Sequence, residues 1–317
     1  MNQIVTIVLP VFGLIGIGYV VAWARLLPDG SDRALADFCF IVALPLLIFR
    51  VLATADFSSG SPVSLWLAYY AGFATVWTLG TLTVRRLFGR DARTGVVAGV
   101  SSAFPNLLLL AVPLVLFAYG DDGAAALAVL LTVSLPVMMT VSIILNERAL
   151  VIDGVSPRTN VAAALLTALK SLATNPMIIG IVAGIAWRLL GLPLGGPVGT
   201  VIERLSGVAG TLALFTVGMT LVRYGVSGSL LPALVIGVLK LVVMPAIVFG
   251  LLATVIHLPP VWAKALVIGA ACPTGVNAWL IAARFRTGEV IASSAITLTT
   301  AAATVTVAVW LHVVEWL

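Results

Sequence analysis

Two stretches decide how this chain folds: SSAFPNLLLLAVP at residues 101–113 and GAACPTGVNAW at residues 269–279. Each sets a proline beside small polar residues in the middle of a long apolar run. A proline inside a helix lacks the N–H that would close an i to i−4 bond, and its ring pushes on the carbonyl four residues back. Lipid offers no water to the freed backbone groups. A helix broken there must therefore find partners within the protein or line a cavity. The break also turns the N–H groups of the second half-helix inward, and their positive dipole end attracts anions.

Around these stretches the chain is apolar almost throughout. Of its 317 residues, 61% are hydrophobic and 9% charged, and the mean hydropathy is +1.19. A soluble domain carries roughly 25% charged residues, so this composition calls for lipid as solvent. Ten apolar runs follow, over 3–23, 33–53, 63–84, 93–119, 123–146, 170–190, 201–224, 229–257, 262–285 and 289–313, with a polar stretch over 147–160. The first three residues lack a basic n-region and the first run is long enough to span, so no cleaved signal peptide is expected.

The net charge of +5 reads as topology rather than as a nucleic-acid surface, because the bases sit in short gaps between apolar runs. With the N-terminus outside, twelve Lys and Arg residues fall inside and four outside (Arg50, Arg188, Arg204 and Lys264), so both termini are expected outside, in the periplasm of a bacterial inner membrane. Ten helices divide into five and five, and an odd number per half makes the repeat inverted. One offset of 168 carries Gly16 to Gly184, Pro105 to Pro273, Gly120 to Gly288 and Asp121 to Glu289. The expected fold is an all-α membrane protein with ten transmembrane helices in a 5+5 inverted repeat. Residues 1–150 form the first half, 151–169 a short cytoplasmic connection and 170–317 the second half, with broken helices four and nine crossing.

The crossing near the bilayer midplane is the natural substrate site. Asn106, beside Pro105, opens one second half-helix; Thr274, Gly275 and Asn277, after Pro273, open the other. An Asn amide offers donors to a carboxylate and an acceptor to a hydroxyl or ammonium. The bland alternative is a kinked helix whose Asn and Thr only cap freed backbone groups. Helices four, five, nine and ten carry no Asp or Glu at their centres, which favours an anion over a cation. Lys240, in VLKLVVMP on helix eight, is the candidate base, set against simple snorkelling to an interface. Arg50 and Asp37 on helix two are weaker charge or coupling candidates, since both read equally as charges near a span end. Cys39 and Cys272 lie in apolar runs and read as small hydrophobes, and His257 and His312 are far apart, so neither a metal nor a cofactor is expected. Trp23, Trp187, Trp262 and Trp316 sit near span ends as interfacial anchors would. Gly13, Gly16 and Gly18 suit close helix packing.

These segments resemble the auxin efflux carrier family, which includes plant PIN-formed carriers and bacterial malonate-type transporters. FPNLLLLAVPLVLFAYG (104–120) is similar to its Pro-Asn crossover helix and ACPTGVNAWLIAARF (271–285) to the ninth helix of bacterial members. ALPLLIFRVLA (43–53), TNPMIIGIVAGIAW (174–187) and LALFTVGMTL (212–221) look like its second, sixth and seventh helices. The resemblance implies an architecture like that of sodium/proton antiporters and bile-acid symporters. A scaffold would come from helices 1, 2, 6 and 7, and a transport domain from helices 3–5 and 8–10. It further implies an elevator-like motion, a homodimer, and a small mono- or dicarboxylate bound by Asn106 and Asn277. Long mid-chain loops of some plant members have no counterpart here. Competing functions are an amino-acid or zwitterion exporter and an anion channel. A sensor would want an output domain, and an enzyme would want a cluster of His, Asp or Ser with a base; neither is present in the sequence.

Overall fold

The computed structural model describes residues 2–55, 60–155, 172–224 and 230–317, together with positions 162, 166, 169 and 170. The connection over 151–169 lies for the most part outside the described residues. Everything described is helix, turn or short link, and no strand occurs among the described residues. Six helical stretches are long and apolar enough to cross a membrane: 6–23, 31–54, 107–152, 196–223, 230–254 and 289–316.

In chain order the helices are α1 (Asn2–Trp23), α2 (Ser31–Phe38), α3 (Leu44–Thr54), α4 (Pro62–Arg86), α5 (Ala92–Ala103), α6 (Val112–Ile152), α7 (Pro176–Leu189) and α8 (Gly196–Gly207). There follow α9 (Ala209–Tyr224), α10 (Leu230–Val238), α11 (Met244–Thr254), α12 (Pro260–Ala271), α13 (Asn277–Phe285) and α14 (Glu289–Val313). Their starts are local chemistry. Ser61 caps α4 by accepting from Ser64 N at 3.3 Å, Asp91 caps α5 from Thr94 N at 2.9 Å, and Asn175 caps α7 from Met177 N at 2.9 Å. Pro62 and Pro176 occupy the first helical turn, where a missing N–H costs nothing. The second half of the run read as helix four and the run read as helix five form one assigned helix, α6, divided at Gly120. With φ +66° and ψ −159°, this position is open only to glycine at low cost. The α6 helix runs on to Ile152, past the point where the polar stretch at 147 suggests an end.

The offset of 168 recurs in the coordinates. Moved by that amount, Pro62–Arg86 falls on Leu230–Thr254, and Ala92–Ala103 falls on Pro260–Ala271. Gly120 falls on Gly288, whose φ is +67°.

Three turns of π-helix interrupt the spans: Cys39–Ala43, Leu107–Ala111 and Leu239–Val243. Each is followed, after one residue, by a proline: Pro45, Pro113 and Pro245. A widened turn carries the backbone past a ring that would otherwise strike the preceding carbonyls. The carbonyl four residues before Pro245 belongs to Leu241, and Trp310 Nε1 donates to it at 2.8 Å. The backbone group freed by the proline is thereby satisfied from α14.

Packing is closest where side chains are smallest. The α1 and α9 helices make the most extensive pairing, and a Cβ on Gly18 or Gly218 would fall onto the carbonyl of Phe215 or Ile15. Gly13 and Gly16 face open space instead, so of the three glycines on α1 Gly18 alone serves the contact. The α3 helix lies on α7, where Gly180 and Gly184 abut the backbone of Pro45 and Phe49. Among the tryptophans, Trp23 and Trp316 are exposed as anchors should be. Trp262 is buried against Gly60, and Trp187 packs edge-on to Phe49 at 5.7 Å. These two pack the bundle.

At one end of the bundle Asp153 ties the close of α6 to the start of α5. Its carboxylate accepts from Ala92 N at 2.8 Å, Arg93 N at 3.1 Å and Arg93 Nε at 3.0 Å. Burial works to raise this carboxyl's pKa. The bonds from Ala92 and Arg93 outweigh it and hold the group below the usual carboxylate range.

Candidate functional site

The two broken helices meet at their breaks. Asn106 N donates to Pro273 O at 2.8 Å and Gly275 N to Phe104 O at 2.9 Å, which makes an antiparallel bridge between Pro105 and Thr274. The peptide groups stranded by one break are therefore satisfied by the other. Thr274 extends the join: its Oγ1 donates to Ser101 O in the last turn of α5 at 2.7 Å, and its N–H donates to Thr299 Oγ1 on α14 at 3.1 Å. A Cβ on Gly275 would lie 2.9 Å from Pro105 O, so the bridge can close only on a glycine. Pro105 and Pro273 act here by withholding N–H groups, and the ladder ends after two bonds.

Beyond the bridge the second half-helices begin. Asn106 is 8% exposed, and its Oδ1 accepts from Leu109 N at 3.3 Å, capping the Leu107–Ala111 turn. Its Nδ2 donates to none of the described residues. Asn277 opens α13, is half-buried, and makes no side-chain hydrogen bond among the described residues. The two amides line one small cavity with Phe40, Leu131, Leu135 and Val276. It measures about 20 Å³, room for about one water. Phe40 comes from the π-turn between α2 and α3, so the second span closes the cavity from the side opposite the crossing. A roomier cavity lies elsewhere, among Arg90, Thr94, Arg286 and Thr287 at the starts of α5 and α14.

Lys240 stands behind the other side of the crossing. It is wholly buried, its Nζ donates to Ala270 O, and Met244 Sδ lies 3.4 Å away. Ala270 is in the last turn of α12, where carbonyls have no partner within the helix. The ammonium caps that end and does not snorkel to an interface. The remaining charge candidates lie away from the crossing. Arg50 pairs with Asp121 at 3.0 Å, fifteen residues beyond Asn106, and Asp37 is exposed on α2. Sequence reasoning passed over Thr299, Ser101 and Phe40. Thr299 left a faint signal as one of the hydroxyls in TLTT (297–300), deep in an apolar helix; Ser101 acts through its backbone and Phe40 through shape, and neither announces itself by residue type.

The geometry is that of two half-helix N-termini and two amides, one capping and one uncommitted, facing one gap in an apolar bundle. Residues 3–311 match the family of membrane transport proteins. The chain belongs to that family. It is the auxin efflux carrier and PIN-like group to which the crossover motifs point. A protein of Rhizobium meliloti (strain 1021) described as "Putative malonate transporter" is 27% identical over 329 aligned positions, spanning 99% of this chain and 97% of its own length. The chain is accordingly a multi-pass membrane transporter, and its breaks at Pro105 and Pro273 sit within the matched region.

Proposed function

We propose that this transporter is a secondary carrier for small organic anions, mono- or dicarboxylates of the malonate kind. The observation that carries the reading is the pair of amides, Asn106 and Asn277, free to donate into one cavity at the crossing of two helix breaks. Donors fixed at half-helix N-termini suit a carboxylate. The fully buried Lys240 places an N–H donor behind the crossing, engaged with Ala270 O. Pro105, Pro273, Thr274 and Gly275 hold the two half-helices in register beside the substrate's path. Asp37 and Arg50 stay outside it. The malonate assignment of the Rhizobium relative supports a dicarboxylate as cargo.

The inverted 5+5 repeat is supported by the helix bounds and positive-φ glycines that coincide under the offset of 168. An elevator motion is supported by the way the helices pair. The α1 helix packs chiefly on α9 and the α3 helix on α7, while α4, α5 and α10–α14 pack on one another and on α6. In that motion helices 1, 2, 6 and 7 are the scaffold, paired as a homodimer in a bacterial inner membrane with both termini outside. The cavity must widen between Phe40 and the crossing to admit a three-carbon acid.

The test is uptake into proteoliposomes after a thermal-shift screen of mono- and dicarboxylates and amino acids, since a ligand of the folded state raises its apparent stability. Asn106→Ala and Asn277→Ala are each expected to abolish saturable uptake of the acid found, with folding intact. Unchanged uptake in both variants would refute the crossing as the site. Stabilisation by amino acids alone would move the cargo to zwitterions, and flux that never saturates would make the protein a channel.

A further inference from the structure

A second cleft opens on the lateral face of the bundle, between the final turns of α4 and α6, with α5 as its floor. It measures about 270 Å³. Its walls are apolar, from Leu82, Val96 and Leu145, and two arginines stand at its mouth, Arg85 on α4 and Arg148 on α6. Both are exposed, and neither makes an ion pair among the described residues. The neighbouring carboxylates are already engaged: Asp91 and Asp153 with Arg93, and Glu147 with a partner of its own. Two unpaired guanidiniums thus converge on an apolar groove.

The interior of the cleft presents no free polar atom from α4. Trp77 and Thr81 also line the cleft, side by side against Gly99, and Trp77 is only 6% exposed. Neither the indole Nε1 nor the Thr81 hydroxyl finds a partner in the protein. A threonine in a membrane helix ordinarily turns its hydroxyl back to the carbonyl one turn earlier, as Thr75 and Thr78 do on the same helix. Thr81 does not. Both groups are closed off within the α4–α5 contact, so the polar reach of the cleft is confined to its mouth.

We infer that this cleft is a binding site for one anionic phospholipid. The charge at its mouth and the apolar wall beneath match the headgroup and chain of such a lipid. Arg85 stands one helical turn, about 6 Å, beyond Thr81 and two turns beyond Trp77. A phosphate at the mouth takes the paired guanidiniums, for which a planar donor fork is suited. An acyl chain follows Leu82, Val96 and Leu145. Leu87 and Ile152, 76% and 63% exposed, flank the mouth and mark this as the level where protein meets lipid. Basic pockets between spanning helices hold anionic headgroups by this combination of charge and groove. The inference stands apart from the proposed cargo and needs only the embedded protein.

The experiment is native mass spectrometry of delipidated protein in detergent, titrated with phosphatidylglycerol or with phosphatidylcholine of the same chains. One phosphatidylglycerol per chain is expected to stay bound, and phosphatidylcholine to leave. The double substitution Arg85→Gln with Arg148→Gln is expected to weaken phosphatidylglycerol binding by about tenfold or more. Arg33→Gln with Arg284→Gln removes the same charge elsewhere and is expected to leave it unchanged. All four side chains are exposed, so folding is preserved. Equal loss in both double variants, equal retention of the two lipids, or displacement of the lipid by inorganic phosphate alone would each overturn the inference.

Discussion

Replacing Gly275 by alanine tests the crossing at its tightest point. The added Cβ would lie 2.9 Å from Pro105 O, 3.2 Å from Pro105 C and 3.3 Å from Asn106 N, and all three are backbone atoms that no rotamer change can move. The strands of the bridge must part by a few tenths of an ångström. They are held by two bonds of 2.8 and 2.9 Å, which have no water to replace them. Losing one leaves a buried group unpartnered at about 1–3 kcal/mol. At roughly 2–4 °C per kcal/mol, apparent Tm falls by about 2–12 °C. Uptake should fall further than stability, because Asn106 N is one of the displaced atoms and its side chain is the proposed ligand. The assay is thermal aggregation in detergent together with uptake, beside Gly250→Ala as reference. Gly250 lies within α11 with nothing near its Cβ position, so alanine there is neutral or stabilising by up to about 1 kcal/mol. A Gly275→Ala protein as stable and active as Gly250→Ala would show that the breaks are not closed on each other.

Thr299→Val keeps the shape of the side chain and removes the acceptor of Thr274 N, so it should cost about 1–3 kcal/mol. Thr300→Val loses only a bond to Ile296 O within its own helix and should stay within about 0.5 kcal/mol, which thermal melts of the two variants compare directly. Gly218→Ala should separate α1 from α9 and cost about 1–3 kcal/mol or more, read as loss of the monodisperse peak on gel filtration. Asp153 has a folded-state pKa below its unfolded value near 3.9. Its contribution is therefore complete above that value and drains away as pH falls through the folded pKa. Melting temperature against pH should show an acid limb that Asp153→Asn flattens, and equal limbs would remove Asp153 from the α5–α6 tie.

The breaks were legible because proline acts by a rule independent of context: it withholds an N–H wherever it sits. Hence Pro105 and Pro273 could be paired from sequence and are found paired in space. Lys240 was legible for a similar reason, since an ammonium in mid-span must reach some acceptor, and a freed helix-end carbonyl was the nearest kind. What could not be read was which carbonyl, because Ala270 lies thirty residues away along the chain. Arg50 and Asp37 were less legible for the opposite reason: a charge near a span end has water within reach, and residue type alone does not say which way it turns. The π-turns at Cys39–Ala43, Leu107–Ala111 and Leu239–Val243 carried a signal, a proline two positions on, that periodicity averages away. The unequal roles of the two asparagines, one capping and one uncommitted, depend on a one-turn difference in where each half-helix begins.

The crossing also sets a timetable for making the protein. Thr274 and Ser101 are joined across 173 residues. A ribosome adding about 5–20 residues per second takes roughly 9–35 s to cover that distance. Throughout that interval the first break exists without its mate, its peptide groups facing a medium that cannot solvate them. The nascent first half must therefore wait beside the insertion machinery or in a hydrated crevice of it, and release into lipid is coupled to arrival of the second break. Slowing synthesis between the two halves would lengthen that exposure and send more chains to degradation, although no residue of the finished protein had changed.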